Sequence, residues 1–403
     1  MASASTPPTL TQPAHPALGS IILLGALTAM GAVSIDLYLP SLPAIGQSFG
    51  VGAAAVQQTM SAFFVGMAVG GLVYGPVSDR IGRRPALLVG LAVYAAASLA
   101  CALAPGIGWL VGGRLVQALG ACAGPVVARA VVRDRYHHQD SARIFSLLTL
   151  VLGVAPMIAP TVGAWLVTFA TWRVVFAVLA AFGVAMIVAV GWRLDESRSR
   201  ATAATGHESV AASYLALFSQ RRLLGYLLGG ALNGAALFAY VGGAPNLLIS
   251  QYHFTPRAFA AAFAAIAVGV IGSSQVNRAL LRRYESDRIL AVATLVGVAA
   301  GVALVVAAFT LGQWPVLVCL FVALTSYGFV AANTTAGALA VDPSRAGATS
   351  ALIGSASFGA GALAASVAAA FDDGTPHALA IVIAVAMAGA AAAFHGLALR
   401  PAR

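Results

Sequence analysis

The chain is 403 residues long, with 60% apolar residues, 8% charged residues and a mean hydropathy of +0.91. Soluble domains carry about 25% charged residues, so this composition excludes a soluble fold and indicates an integral membrane protein. The formal net charge of +10 comes from arginines that are scattered between apolar runs, so the charge does not indicate a nucleic-acid partner.

The chain begins with a short segment rich in Pro, Ser and Thr, 1–17, which we predict to be a disordered cytoplasmic tail. Apolar runs long enough to cross about 30 Å of hydrocarbon as helices then recur along the chain. Only helices and closed barrels satisfy their backbone in lipid, and these runs are too long for barrel strands. The predicted fold is all-α and integral to the membrane, with twelve spans at 18–45, 54–76, 85–104, 107–131, 142–168, 172–193, 221–249, 256–281, 288–311, 314–340, 346–371 and 376–398.

Span 1 ends in SIDLYLPSLP, which places an acid, Asp36, and an aromatic residue, Tyr38, beside two prolines. A carboxylate at the centre of a membrane helix costs about 2.5–3.5 kcal/mol, so such acids usually face a cavity or a proton pathway. Pro40 has no amide hydrogen to donate to the carbonyl of Asp36, which weakens the helix at the acid. We predict that Asp36 couples proton and substrate, with Tyr38 beside it. A solvated acid at the periplasmic interface is the alternative, because sequence does not give depth.

The loop between spans 2 and 3 reads GPVSDRIGRRPAL. We expect Gly75 to permit close helix approach, Asp79 to be held by a cation or a helix end, and Gly82 to allow a tight turn. A loop that only sets topology would explain its arginines but not the two glycines and the acid, so we predict a cytoplasmic gate. The arginines that complete this gate, through charge-assisted contacts and lipid headgroups, are Arg80, Arg83 and Arg84.

Spans 4 and 5 carry the next candidates. Arg114 and Gln117 lie well inside span 4, where an unpaired guanidinium is too costly to face lipid. Arg114 therefore takes part either in proton coupling or in a structural ion pair or carbonyl clamp within the first half of the chain. Span 5 contains the segment APMIAPTVGA, in which the candidates for a functional role are Pro156, Pro160 and Gly163.

The longest polar interruption, 196–220, is predicted to be a central cytoplasmic loop between two six-helix bundles, 18–195 and 221–398. The segment after span 8, SSQVNRALLRRYESD, is a degenerate repeat of the loop after span 2, as a duplicated six-helix unit would leave. Nineteen arginines flank one set of span ends, and only Arg173 and Arg257 flank the other. The positive-inside bias therefore predicts that both termini are cytoplasmic.

Several further residues could either line a pocket for an amphiphilic molecule or simply pack between helices. These are Phe63, Phe64, Phe238, Tyr240 and Asn333. The three cysteines lie in apolar stretches without CxxC or Cys/His spacing, so we expect neither disulfides nor a metal site.

The loop after span 2 resembles the GxxxDRxGRR signature of the major facilitator superfamily. Span 4 is similar to the RxxQGxGA pattern of its proton-coupled members, with Ala118 in place of a glycine, and span 5 is similar to the GxxxGPxxGG motif of its antiporters, with three alanines in place of glycines. Together with SIDLYLPSLP, these segments make the chain resemble the bicyclomycin/chloramphenicol-type (Bcr/CflA) drug/proton antiporters, most strongly over 34–164.

The resemblance implies a monomeric exporter of the bacterial inner membrane that takes polyspecific small-molecule substrates. It uses the proton gradient as its energy source and has no cofactor. A major-facilitator permease for a small metabolite, without multidrug activity, remains the alternative. An enzyme is not expected, because the sequence contains no GxSxG, HExxH or CxxC.

Overall fold

The computed structural model describes residues 18–136, 138–197 and 210–399. Over these ranges the chain forms helices and no strands, and twelve helical stretches are long and apolar enough to cross a membrane. The predicted all-α membrane fold is therefore confirmed, and each observed span overlaps the predicted one. The tail predicted at 1–17 lies outside the described residues.

The first six spans are built from eight helices. Span 1 combines α1, a 3-10 turn at Leu39–Ser41 and α2, and span 4 combines α5 and α6. The helices are α1 (Leu18–Asp36), α2 (Leu42–Phe49), α3 (Ala53–Ile81), α4 (Arg83–Ala102), α5 (Ile107–Ala121), α6 (Ala123–Arg135), α7 (His138–Phe169) and α8 (Arg173–Arg193).

The last six spans follow a short helix, α9 (Val210–Phe218), inside the predicted central loop. Span 10 combines α13 and α14, and π-helical turns at Asn246–Gln251 and Phe394–Ala398 extend α10 and α16. The helices are α10 (Arg221–Pro245), α11 (Pro256–Leu280), α12 (Ser286–Thr310), α13 (Gln313–Thr325), α14 (Tyr327–Val341), α15 (Ala346–Ala370) and α16 (His377–Ala393).

Span 1 breaks directly after Asp36. The last backbone bonds of α1 run from the amide of Leu37 to the carbonyl of Val33, 3.1 Å, and from the amide of Tyr38 to the carbonyl of Ile35, 3.2 Å. The chain then turns into the 3-10 segment that contains Pro40. Because proline cannot donate to the carbonyl four residues before it, the helix cannot continue past the acid. Asp36 therefore stands at the carboxyl end of α1, inside a span that goes on to Phe49.

The broken segment of span 1 lies against α7. Gly163 of α7 approaches the backbone of Leu37 so closely that an added Cβ would overlap the Leu37 carbonyl oxygen. Only glycine fits this approach, which holds the break in a fixed position relative to span 5.

We expect Gly163→Ala to destabilise the fold by about 1–3 kcal/mol, because the added methyl group must displace the backbone at Leu37. Gly112→Ala is the matched control, since a Cβ at Gly112 meets no atom within 4 Å. Thermal unfolding of the purified proteins in detergent measures both. Equal unfolding midpoints for Gly163→Ala and Gly112→Ala would contradict the close approach.

Two ends of the molecule can be distinguished by charge. The arginine-rich end carries Arg83, Arg135, Arg193 and Arg221, which lie at the ends of α4, α6, α8 and α10. The opposite end holds the turns between spans 1 and 2, 3 and 4, and their counterparts in the second half.

The two halves of the chain meet across the molecule and close it at the opposite end. The amide of Gln57 in α3 donates to the carbonyl of Ala365 in α15, 3.2 Å away. Beneath this contact the Phe64 ring of α3 lies 5.0 Å from the Phe238 ring of α10, which stacks on Phe358 at 4.6 Å. This aromatic layer joins both halves and separates the interior from the opposite end.

The helix α9 lies at the arginine-rich end, where Ser213 and Tyr214 border the central cavity. Just after α9, the amide of Gln220 donates to the Asp342 carboxylate, 3.2 Å away. The Ser344 hydroxyl and the Arg345 guanidinium also bind this carboxylate and hold the pKa of Asp342 below its usual value. Gln220, the last residue of the predicted central loop, is thus bound to the turn between α14 and α15.

Candidate transport cavity

A large cavity of about 1150 Å³ lies between the two halves of the chain. It extends from the arginine-rich end, where Arg80 and Arg133 border it, to the level of Asp36 and Tyr240. Most of its lining side chains are apolar. This volume is slightly above the usual range of drug-sized pockets, about 300–1,000 Å³.

Asp36 stands at the closed end of this cavity. Its side chain is buried, with 4% exposure, and its carboxylate has no hydrogen bond or ion pair with any described residue. A buried carboxylate without a partner is stabilised when it binds a proton, a cation or a hydrogen-bond donor. The acid is therefore placed to bind a proton or a ligand, and its burial does not fit a solvated acid at an interface.

The second half of the chain faces Asp36 with aromatic side chains. Phe238 and Tyr240 of α10 both line the cavity, and the Tyr240 ring stacks on Phe263 at 5.7 Å. The buried hydroxyl of Tyr240 has no hydrogen-bond partner among the described residues. An orphaned hydroxyl and an orphaned carboxylate therefore border the same apolar space.

Arg114 lies outside the cavity, packed within the first half, and its side chain is fully buried. Its Nη1 atom donates to the Ser34 carbonyl, 3.1 Å, and to Gln117 Oε1, 2.7 Å. The guanidinium lies over the Phe63 ring, 4.1 Å from its centroid, and over the Tyr38 ring at 4.5 Å. Cation–π contacts of desolvated guanidinium groups contribute about 2 kcal/mol or more, so the two rings take the place of an acid.

The contacts of Arg114 belong to a closed ring of hydrogen bonds. Gln117 Nε2 donates to Ser98 Oγ, 2.7 Å, and Ser98 Oγ donates to the Tyr94 carbonyl, 2.7 Å. The Tyr94 hydroxyl pairs with Ser34 Oγ at 2.7 Å, and the Ser34 carbonyl accepts from Arg114. We call these residues, Ser34, Tyr94, Ser98, Arg114 and Gln117, the Arg114 ring. It contacts α1 two residues before Asp36.

Three of the predicted pocket residues do not line the cavity. Phe63 lies under Arg114, Phe64 lies behind Phe238 in the aromatic layer, and Asn333 donates to Asn277 Oδ1 at 2.8 Å and accepts from Ser286 at 2.8 Å. The two rings pack against neighbouring helices, and the Asn333 amide is hydrogen-bonded by its neighbours, which is the packing role left open by the sequence.

Of the remaining residues predicted in spans 1 and 5, one lines the cavity and three do not. Tyr38 lies beneath Arg114, and its hydroxyl pairs with Thr59 Oγ1 at 2.7 Å instead of facing the cavity. Pro156 lines the cavity, whereas Pro160 and Gly163 lie outside it against the protein interior.

The loop after α3 forms a compact ionic cluster. Gly82 has a φ of 100°, the positive value that the predicted tight turn requires. The buried Arg83 binds Asp79 at 2.7 Å, Asp134 at 2.9 Å and Ser78 Oγ at 2.8 Å. Arg83 therefore joins α3 and α4 to the end of α6.

Glu196, which follows α8, caps the same cluster. Its carboxylate accepts from the backbone amides of Arg83 and Arg84, 3.0 and 3.1 Å away, at the first turn of α4. Arg84 also donates to the Gly191 carbonyl at 2.7 Å. Sequence reasoning missed Asp134 and Glu196, because both are distant in the chain and each resembles an ordinary surface acid at a helix end.

Two residues of the predicted gate lie elsewhere than the motif suggested. A Cβ at Gly75 would meet no atom within 4 Å, so the expected close helix approach is absent there, and Gly75 faces the cavity instead. Arg80 also borders the cavity, at its open end.

The model of the Major Facilitator Superfamily matches residues 22–366 of the chain. The chain belongs to the major facilitator superfamily. It is 34% identical to the uncharacterized MFS-type transporter YdgK of Bacillus subtilis over 346 residues, 84% of this chain and 85% of the relative. It is 29% identical to the bicyclomycin resistance protein homolog of Haemophilus influenzae over 351 residues, 87% of this chain and 88% of the relative.

The structural comparison agrees with this assignment. The crystal structure of the nucleoside transporter NupG (D323A mutant) superposes with a TM-score of 0.75 at 13% identity, covering 94% of this chain and 98% of the other. As a major-facilitator protein, the chain is a multi-pass transporter of the bacterial inner membrane and not an enzyme. Its resemblance to bicyclomycin/chloramphenicol-type proteins is confirmed, and its substrates are small molecules.

Proposed function

We propose that this transporter exports drugs or other small amphiphilic molecules across the inner membrane in exchange for protons. The observation that carries the proposal is Asp36, a buried acid without a partner at the closed end of a largely apolar cavity between the two halves. Intramembrane acids that face a cavity are typical of proton relays. The proton gradient supplies the energy, so no cofactor is required, and one chain encloses the whole cavity, so a monomer suffices.

The proposed cycle is alternating access. In the observed state the cavity opens at the arginine-rich end, which the positive-inside bias assigns to the cytoplasm. A drug enters there and binds when Asp36 is deprotonated. After the halves rock to open the opposite end, Asp36 takes up a proton from outside and the drug is released. The protonated carrier then returns and loses the proton to the cytoplasm, which restores the deprotonated carboxylate.

Two supports favour export of amphiphiles over transport of a sugar or nucleoside. A relative named a bicyclomycin resistance protein homolog matches most of this chain, whereas the nucleoside transporter shares only the fold. Recognition of a sugar or nucleoside requires several side chains that hydrogen-bond its hydroxyl groups. The deep part of this cavity presents Asp36 and Tyr240 among apolar side chains, which suits an apolar molecule with few polar groups.

The test is a drug-susceptibility panel in an efflux-deficient host that expresses the chain, followed by transport of the best compound in proteoliposomes. We expect raised resistance to at least one amphiphilic compound and uphill transport driven by an imposed proton gradient. Transport of a metabolite without any change in drug resistance would support the permease instead. Transport that is indifferent to the proton gradient would overturn the proposed coupling.

The ionic cluster at the α3–α4 loop gives a further prediction. We expect Asp79→Asn to insert normally but to reduce export of that compound at least about tenfold, because the Asp79–Arg83 ion pair positions a loop that must rearrange between states. Asp195→Asn is the matched control, an exposed acid at the same end of the molecule. Proteoliposome transport measures both variants. Wild-type rates from well-inserted Asp79→Asn would contradict a gating role.

A further inference from the structure

The cavity has charges of opposite sign toward its two ends. Asp36 marks the closed end, and the open end is bordered by arginines, of which Arg83 is paired with Asp79 and Asp134. Arg129 lines the cavity one helical turn deeper than Arg133. A low-dielectric cleft with fixed charges of one sign attracts ligands of the other sign.

Arg129 has no acidic partner among the described residues. Its Nε atom donates to the Pro125 carbonyl of its own helix, 3.0 Å away, which turns the side chain back toward the closed end of the cavity. The other N–H groups of the guanidinium make no hydrogen bond to a described residue, so they are available to a carboxylate, sulfonate or phosphate group in the cavity. An arginine that served only to set topology would not need to lie on the cavity wall.

The spacing of Asp36 and Arg129 follows from the packing of α1 on α6. Gly124 of α6 lies directly against Leu27 of α1, where an added Cβ would overlap the Leu27 carbonyl. Asp36 is nine residues from Leu27 toward the closed end, and Arg129 is five residues from Gly124 toward the open end. At 1.5 Å per residue the two Cα atoms are roughly 20 Å apart along the helix axes, and both side chains shorten the gap.

The surface between the two charges is mainly apolar. Gly31 and Ala32 of α1 line it on one side, and Cys122 and Val126 line it on the side of span 4. A molecule that contacts both charged groups must therefore be an elongated amphiphile with an apolar or aromatic middle.

We propose that Arg129 is an anion-binding residue of the substrate site and that the cavity selects zwitterionic amphiphiles. The amine of such a molecule binds at Asp36, and its carboxylate or other anionic group binds at Arg129. This inference rests on the proposed export function and narrows its substrate class. Arg129 belongs neither to the Arg114 ring nor to the ionic cluster at the α3–α4 loop, so the proposal gives it a role of its own.

The test uses three fluorescent probes that share one rigid aromatic scaffold: norfloxacin, with an amine and a carboxylate; its ethyl ester, with the amine only; and its N-acetyl derivative, with the carboxylate only. Binding to the purified full-length protein is measured by fluorescence titration. We expect Arg129→Gln to weaken norfloxacin and the N-acetyl derivative at least about tenfold, the loss of one charge-assisted contact, and to leave the ester within about twofold.

Two controls separate a specific site from a general effect of charge. Arg282→Gln removes an exposed arginine at the same end but outside the cavity, and we expect it to change no affinity. Asp36→Asn should show the opposite selectivity, weakening norfloxacin and the ester but not the N-acetyl derivative.

The proposal is overturned if Arg129→Gln weakens all three probes equally, if it weakens none, or if the wild-type protein binds the ester as tightly as norfloxacin or binds no probe. These outcomes concern the substrate class alone. The export function itself fails only if the susceptibility panel and the gradient-driven transport assay fail.

Discussion

Asp36→Asn is expected to abolish uphill, gradient-driven export and to flatten the pH dependence of drug binding. The carboxylate is buried at the closed end of the cavity and has no described partner, so it is free to exchange a proton for a ligand. Asparagine keeps the shape of the side chain but mimics the protonated, neutral form permanently. A carrier fixed in one protonation state can still bind some compounds, but it cannot couple their movement to protons.

Linkage makes this expectation measurable. A drug that prefers the deprotonated carboxylate must expel a proton when it binds, and its affinity must fall as the pH drops through the titration of that group. Drug binding and drug-induced proton release by the purified protein across about pH 5–9 test both statements.

Asp373→Asn is the control for the Asp36 experiment, because Asp373 lies in an exposed turn at the opposite end and binds Thr375 of the same turn. We expect wild-type proton release and pH dependence from this variant. Should Asp36→Asn also release protons with the wild-type profile, the coupling group lies elsewhere in the protein.

The parts of the structure that depend on local sequence were predicted well. The twelve spans follow from apolar run lengths, and the break of span 1 follows from Pro40, whose effect on the carbonyl of Asp36 is a matter of four residues. The turn at Gly82 is equally local, because one residue must adopt a positive φ.

The functional surroundings of these residues depend on contacts between distant segments. The partners of Arg114 come from other helices, including Ser34 in α1 and Phe63 in α3, and no periodicity in the sequence relates them. Phe63 faces Arg114, whereas Phe64, its neighbour in α3, faces the second half of the chain. Sequence periodicity alone does not predict this difference. Which face of a membrane helix meets the cavity is set by packing, because all its faces are apolar.

The same reason explains why the role of Arg129 was not visible in the sequence. Arginines at the cytoplasmic ends of spans are expected from topology alone, and Arg129 is one of many. Only the register of α6 against α1 shows that this one lies on the cavity wall.

Arg114→Lys is expected to fold but to lose export about tenfold or more, almost as completely as Arg114→Ala. Lysine keeps the positive charge, but it replaces a planar group with five donors by a compact ammonium. The guanidinium plane lies over both Phe63 and Tyr38 while one of its nitrogens binds Ser34 and Gln117 together. An ammonium can bind one of these acceptors, but it cannot keep the stacking on both rings.

The expected loss of transport follows from where the Arg114 ring meets α1. The Ser34 carbonyl is two residues from Asp36, and the helix ends directly after that acid, so the Arg114 ring on one side and the contact of Leu37 with Gly163 on the other position the carboxylate. Lysine should lower the thermal unfolding midpoint less than alanine does, because lysine keeps one hydrogen bond, whereas alanine leaves both Gln117 and the Ser34 carbonyl without their buried donor. Proteoliposome transport and thermal unfolding are measured for Arg114→Lys, Arg114→Ala and Gln117→Ala. Together they separate a loss of transport from a loss of stability. If lysine transports normally while alanine fails, the charge alone suffices and the planar geometry of Arg114 has no part in positioning Asp36.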